Sequence, residues 1–417
     1  METFIIAEAG VNHNGDISRA IKMVKVAANS GADAIKFQSF KADRMVSQLA
    51  KKADYQSKNT GKSGSQLDML KELELSELEQ IQLAEECKKN NIEFMSTPFD
   101  IESADFLAKE INIKRFKVGS GEITNAPLLL GLGNYRKPII LSTGMSNIPE
   151  IQDALSVLAY AYGNEKKEPS SSDSFKSFSN LKTIQEVLRD SITLLHCTSL
   201  YPTQPESINL LAIKSLRKRF NLEVGFSDHS QGISISLGAV ALGAKVIEKH
   251  FTLDKCLKGP DHKASLEPNE LSQMIKMIRV LEISLGSGEK IPFKDEYKTA
   301  MVARKSLVAI NNIDKGLQTK QADEIYRDVL DGIRQNISVG YQVNSMKREE
   351  SEKDGVPIYR VNSWLPLEVS AVSVPADQSS LVGFARSKET PKIEINSNEE
   401  IKMETENKTP EVNPAEL

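Results

Sequence analysis

The sequence predicts an α/β fold, a TIM (β/α)8 barrel, followed by a smaller C-terminal part of different character. Two observations predict it. Eight short apolar runs, each ending in a polar or charged residue, punctuate the first 250 positions. Most of them are separated by stretches with helical apolar spacing, so the alternation reads as repeated βα units. The runs are too short to be helices, and eight such units close a parallel barrel.

The elements follow in order. FIIAEAG is the first strand, and SRAIKMVKVAANSGA carries the chain back as a helix to AIKFQ. A long interruption from about Lys41 to Leu75 precedes the helix-like SELEQIQLAEECKKN and the third run, EFMSTP. RFKVGS, PIILSTG, ITLLHC, EVGFSD and KVIEKHF complete the set, with a second interruption from about Gly163 to Lys182 containing EKKEPSSSDSFKSFSN. Long loops on the catalytic side of a barrel shape or cover a pocket, which is the role expected of both. EPNELSQMIKMIRVLEISLG has apolar residues at helical spacing and closes the outer ring, so the barrel domain is 1–286.

Residues 287–316 read as a linker, a short strand and a turn at Asp314 to Gly316. Residues 322–386 form a small β-containing module, with strand-like alternation in ISVGYQV, PIYRVNSW and LEVSAVSVPA and the only tryptophan, Trp364. Residues 387–417 are rich in Glu, Lys, Asn and Pro and hold no aromatic residue. Such a segment has too little apolar surface to offset the entropy of ordering, so a disordered tail is expected.

Composition bounds the function. A chain of 417 residues with 40% hydrophobic content accommodates one barrel of about 250 residues plus something smaller. A net charge of -4, with both signs mixed along the helices, gives no reason for nucleic acid or membrane partners. No apolar stretch approaches the roughly 20 residues of a membrane span, and the chain enters its first strand almost at once, so a soluble cytoplasmic protein is expected. Cys87, Cys197 and Cys256 are odd in number and widely spaced, which favours reduced thiols, with Cys197 read as packing.

In a barrel of this kind the reacting groups project from the C-terminal rim. Here the rim would carry Glu8, Lys36 with Gln38, Thr97, Lys117 with Ser120 and Glu122, and Thr143. Further round it would carry His196 with Ser199, Asp228 with His229, and Glu248 with His250. Charged side chains are seldom buried without partners, so this collection suggests an anionic substrate and a metal. His229 and His250 end adjacent strands, where two imidazoles suit a divalent transition metal with open coordination positions. Asp261 and His262, in GPDHKASL, either complete that site or form a solvated turn. Lys36 and Lys117, with the hydroxyls of Thr97, Ser120 and Ser227, would make a pocket for phosphate and carboxylate; the other reading pairs each lysine with a neighbouring glutamate.

AEAGVNHNGD, IKFQ, STPFD, KVGSGEITN, PIILSTGM, LLHCTSLYPT, GFSDHSQGI and IEKHFTLDKCLKGPDHKASLEP occur in this order and together resemble the sialic acid synthases, which make nine-carbon sugar acids such as N-acetylneuraminate and legionaminate. The resemblance implies a C–C bond-forming transferase. It would condense phosphoenolpyruvate with N-acetylmannosamine or a diacetamido-dideoxyhexose, releasing phosphate by C–O cleavage. It further implies that Lys36, Thr97, Lys117, Ser120, Ser199 and Ser227 hold phosphoenolpyruvate. His229 and His250 would bind a divalent metal, Mn2+ with Mg2+ or Co2+ as alternatives. Gln38, Glu122, Tyr201 and Asp261 would hold the sugar, and Glu8, with Asp261, would handle protons. Ser199 stands where some members of the family carry asparagine.

MVARKSLVAINNIDKG resembles the opening of that family's C-terminal antifreeze-like domain, so the resemblance runs over about 1–316. The arginine expected next, in an Arg-Pro-Gly context, has no counterpart after Gly316. In the family it reaches across a homodimer to grip the sugar, so its loss implies impaired sugar binding and a weakened dimer. YRDVLDGIRQNISVGYQV and RVNSWLPLEVSAVSVPADQSSLVGFAR resemble the C-terminal half of tailed-phage prohead proteases, which implies Ser338 as a nucleophile and Glu368 as its acid. All five histidines lie in the barrel, and a serine hydroxyl without a base is a poor nucleophile, so the pair reads as vestigial. Three functions follow: a synthase impaired by loss of its C-terminal domain, a protease-related module, or a binder of sugar or phosphoenolpyruvate without turnover.

Overall fold

Each of the eight apolar runs forms a strand in the computed structural model: β1 (Phe4–Gly10), β2 (Ala34–Ser39), β3 (Glu93–Pro98), β4 (Phe116–Val118), β5 (Ile139–Ser142), β6 (Ile192–Cys197), β7 (Glu223–Asp228) and β8 (Val246–His250). The structure describes residues 2–50, 52, 65–164, 169–179, 181–304, 337–353, 356–371 and 401–402. All ladders among the eight strands are parallel, in the order β3-β2-β1-β8-β7-β6-β5-β4, and β3 and β4 lie side by side to complete the ring. The predicted TIM barrel is the observed fold. Contacts divide the chain into two units, Met1–Glu289 and Lys290–Leu417.

The outer helices form for local reasons. Helix Ile17–Ser30 begins at Asp16, whose carboxylate accepts from the amides of Ser18 and Arg19, and ends at Gly31 in the left-handed region. Its buried residues Ala20, Met23, Val24 and Ala27 fall on one face at helical spacing and pack on the sheet. Inside the ring, Ile6, Ala34, Met95, Ile140, Leu195 and Val246 form a separate plug. Gly225 takes the interior position on β7, where a Cβ would run into Leu195 and Val246. Because side chains alternate along a strand, the residues two further on from this plug point to the same interior, one layer nearer the C-terminal mouth.

The two interruptions part company. The first follows a strand and therefore emerges at the catalytic end. It contains helices Ala42–Met45 and Gln66–Leu73, and builds its own small core from Phe40, Ala42, Leu67, Met69, Leu70 and Leu73. The second follows helix Ile148–Gly163 and precedes β6, so it emerges at the opposite end of the barrel. There helix Asp173–Ser179 sets Phe175 and Phe178 edge-on against Tyr160 of the outer layer. The expectation that both loops serve the pocket is corrected by this order of elements.

In the second unit, helix Glu296–Ala303 precedes an antiparallel pair, β9 (Ile337–Lys353) and β10 (Val356–Ala371), to which β11 (Ile401–Lys402) adds along β9. PIYRVNSW and LEVSA form one strand rather than two, with register shifts at Val361/Ser363 and Pro366/Glu368. β9 also runs on through the charged NSMKREESEK, because a ladder needs only a partner backbone. β11 falls within the tail expected to be disordered. The short strand expected before Asp314 lies outside the described residues.

Candidate active site

Seven of the eight strands bring inward side chains to a cavity of about 300 Å³ at the C-terminal mouth of the barrel. Glu8 comes from β1, Lys36 and Gln38 from β2, Thr97 from β3, Lys117 from β4, Ser142 from β5, Ser227 from β7, and Glu248 and His250 from β8. Ser120, Ser199, Tyr201, His229 and Asp261 line it from the loops that follow.

The floor is a buried cluster of charge. Lys36 Nζ lies 2.7 Å from Glu8 Oε2 and 3.7 Å from Glu248 Oε2, and donates to Thr97 Oγ1 at 3.1 Å. Lys117 Nζ lies 3.4 Å from Glu248 Oε1 and donates to Ser142 Oγ at 2.8 Å. Ser227 Oγ donates to Glu248 Oε1 at 2.8 Å. Both lysines therefore face the cavity and are paired to glutamates. Burial pushes the Glu8 carboxyl up, Glu248 adds to the effect, and together they outweigh Lys36, leaving Glu8 at about 7. Burial acts the same way on Glu248, but Lys117 and Lys36 together prevail and hold it at about 2. Burial also lowers Lys117, whereas at Lys36 it is outweighed by Glu248 and Glu8, and that ammonium is raised.

His229 and His250 face each other with ring centroids 5.5 Å apart. His229 Nδ1 lies 2.7 Å from the Thr198 carbonyl oxygen, which assigns the proton there and leaves the Nε2 lone pair toward Tyr201 Oη, 3.1 Å away. His250 Nδ1 is buried with no hydrogen-bond partner. Burial holds both imidazoles below their ordinary pKa, in the neutral form that a metal requires. Gly10, at φ +51°, borders the same space: a Cβ there would meet Glu8 Oε1 at 3.2 Å, His250 Cε1 at 3.6 Å and Gln38 Nε2 at 3.7 Å. A carbonyl-oriented imidazole, an unpartnered ring nitrogen and a space kept open by glycine fit a divalent ion. Among the described residues no group of three or more His, Cys, Asp or Glu is placed to hold a metal.

Several rim residues point elsewhere. Glu122 sits on the short 3-10 helix Ser120–Glu122, accepts from Asn125 Nδ2 at 2.7 Å and does not line the cavity. Asp228 faces the helix layer and His196 packs against Phe226, each one residue out of phase with the mouth. Thr143 donates its hydroxyl to the Leu195 carbonyl. His262 is buried, bonded to Thr252 Oγ1 at 2.7 Å and Asn14 Oδ1 at 3.2 Å, so its loop is a built latch rather than a solvated turn. The latch carries Asp261 to the cavity, where burial raises its carboxyl to about 6. Ser120 Oγ accepts from the Gly144 amide at 3.0 Å and lies 3.1 Å from Cys197 Sγ.

Sequence reasoning placed Glu248 at the rim without a role and passed over Ser142 and the apolar wall from helix Gln66–Leu73. The signals were present: Glu248 stands two residues before His250 on one strand face, and Ser65 with Asp68 forms a capping box before an apolar run. In the second unit the backbone register sets Ser338 opposite Ser370 and Glu368 opposite Gly340. No histidine occurs in the sequence of that unit.

Residues 23–290 match the NeuB family. An N,N'-diacetyllegionaminic acid synthase of Campylobacter jejuni is 51% identical over 315 residues, spanning 76% of this chain and 87% of that protein. One from Legionella pneumophila is 44% identical, with 78% and 85% spanned. The N-acetylneuraminate-9-phosphate synthase of Homo sapiens is 35% identical, with 75% and 79% spanned. Among solved structures, an N-acetylneuraminic acid synthetase of Leptospira borgpetersenii in complex with citrate superimposes with a TM-score of 0.58 at 33% identity, over 72% of this chain and 91% of that one. The match and the paired-lysine floor concern the same barrel. The chain belongs to the NeuB family of sialic acid synthases and is an enzyme, a carbon–carbon bond-forming transferase.

Proposed function

We propose that the barrel condenses phosphoenolpyruvate with an N-acetylated amino sugar, a diacetamido-dideoxyhexose in preference to N-acetylmannosamine, giving a nine-carbon sugar acid and phosphate. The observation that carries this is the buried floor, where Lys36 and Lys117 converge beside hydroxyls and beneath two neutral imidazoles. Two ammonium groups with the hydroxyls of Thr97, Ser120, Ser199 and Ser227 suit a small ligand bearing phosphate and carboxylate. Gln38, Tyr201 and Asp261 stand above it and would hold the sugar so that its aldehyde carbon meets C3 of phosphoenolpyruvate. Glu122 would join them only after leaving Asn125.

In the reaction C3 bonds to the aldehyde carbon, whose oxygen gains a proton. Water adds at C2, and the C2–O bond to phosphate breaks. Glu8, at about 7, exchanges a proton at neutral pH, and Asp261, at about 6, is placed to share that work. His229 and His250 would hold a divalent ion, Mn2+ by the family's precedent, which would supply Lewis acidity when bound. The absence of the Arg-Pro-Gly arginine from the sequence predicts a raised KM for the sugar with the phosphoenolpyruvate KM little changed.

Phosphate release from phosphoenolpyruvate with Mn2+ across a panel of N-acetylated hexoses tests the proposal. Release that requires both a sugar and His229, and is lost in His229→Ala, supports it. Binding of phosphoenolpyruvate by folded protein without release under any sugar favours the non-catalytic binder instead.

A further inference from the structure

The cavity is polar on its floor and apolar on one side. That side is made by Met69, Leu70 and Leu73 of helix Gln66–Leu73, with Met45 and Phe99 beside them and a single polar side chain, Gln66, at the start of the helix. These residues belong to a core of their own, separate from the barrel's. Their position is fixed by polar anchors: Glu74 accepts from Lys41 Nζ at 2.9 Å and from the Ala42 amide at 3.0 Å, and Lys71 pairs with Asp43 at 3.0 Å. The capping box of Ser65 and Asp68 starts the helix. A segment needed only to cover its own core would have no reason to turn thioether and isobutyl groups toward a site otherwise lined by charge.

We propose that this wall determines acceptor specificity by hydration, selecting a sugar that presents a methyl group to it over one that presents a hydroxymethyl. The inference rests on the synthase reading and adds the residues that choose between its substrates. A hydroxyl pressed against Met69, Leu70 and Leu73 gives up its water and finds no acceptor or donor among them, whereas a methyl removes apolar surface from water on both sides. An apolar pocket discriminates a single such group by about 10- to 100-fold, which sets the expected size. The floor contributes nothing to this choice, because it faces the ligand common to all acceptors.

The test compares kcat/KM for N-acetylmannosamine and its 6-deoxy counterpart, which differ by one oxygen. The protein should favour the deoxy sugar by about 10-fold or more. Met69→Gln should bring the ratio close to one with the KM for phosphoenolpyruvate unchanged, and Met69→Leu should preserve it. If Met69→Gln fails to fold, Met45→Gln, at the half-buried edge of the same core, carries the comparison. Equal kcat/KM on the two sugars, or a ratio that neither glutamine variant moves, overturns the wall while leaving the synthase intact. Release with no sugar at all overturns the synthase reading and the wall with it.

Discussion

On β8, Glu248 and Lys249 are both buried and both ion-paired, to opposite faces of the sheet. Lys249 points outward to Asp228 at 3.0 Å, and every group around that pair is used: Asp228 also accepts from the Ser230 amide and hydroxyl and from Ser236 Oγ, while Lys249 donates to the Ser230 carbonyl. Glu248 points inward to Lys36 and Lys117, and there Glu248 Oε2, 3.7 Å from Lys36 Nζ, and His250 Nδ1 are left without a hydrogen-bond partner. Unmade hydrogen bonds are costly in a buried place, so the first cluster is complete as a structure and the second has capacity reserved for a ligand. Burial and charge alone do not distinguish them. The unfilled bonding capacity does.

Removing a partner should separate the two clusters. Lys249→Met leaves Asp228 buried without its cation and should cost about 3–5 kcal/mol of stability, read as a lowered midpoint in urea. Adding Asp228→Leu should recover much of it, since an apolar pair of similar volume tolerates that site. Glu8→Gln should behave in the opposite way. Its carboxyl is raised to about 7, so the folded state binds more protons than the unfolded one between the ordinary carboxylate range and pH 7, and the stability it contributes declines as pH rises through that window. A neutral isostere removes this penalty, and Glu8→Gln should be at least as stable as the parent at pH 8. Its phosphate release should nonetheless fall by about a hundredfold or more. A Glu8→Gln protein that loses stability and activity together would place Glu8 with the structural cluster.

The same contrast explains what the sequence made legible. A polar residue closing an apolar run announces a strand end, and that was enough for Glu8, Lys36, Lys117, His229 and His250. Which of two successive polar residues faces inward depends on where the strand begins its alternation, and runs such as GFSD leave that phase open. Ser227 and Asp228 were both placed at the mouth, and only Ser227 is there. Glu122 was placed at the mouth but lies off the cavity for a different reason, because the chain leaves β4 at Val118 for a 3-10 turn and the period of two no longer applies. The apolar wall was hidden because its residues lie in what reads as a loop, and their partners, Phe40 and Phe99, come from the ends of other strands.

The smallest effect concerns the latch that carries Asp261. His13 and His262 are buried, and burial, with Arg19 nearby, lowers each to about 4. A histidine held below its unfolded value of 6.5 binds fewer protons folded than unfolded between pH 6.5 and 4. Stability from each group is therefore present above that window and declines as pH falls through it, by about 2–3 kcal/mol for a shift of this size. Glu8 and Asp261 titrate nearby with the opposite sign, so the informative quantity is a difference between two proteins. His262→Gln keeps a donor for Asn14 and an acceptor for Thr252 but cannot take a proton. The gap in unfolding free energy between this variant and the parent should shift by about 2 kcal/mol in favour of the variant from pH 7 to pH 4.5. An unchanged gap would mean that His262 is protonated as readily folded as unfolded, and that the latch is open to water.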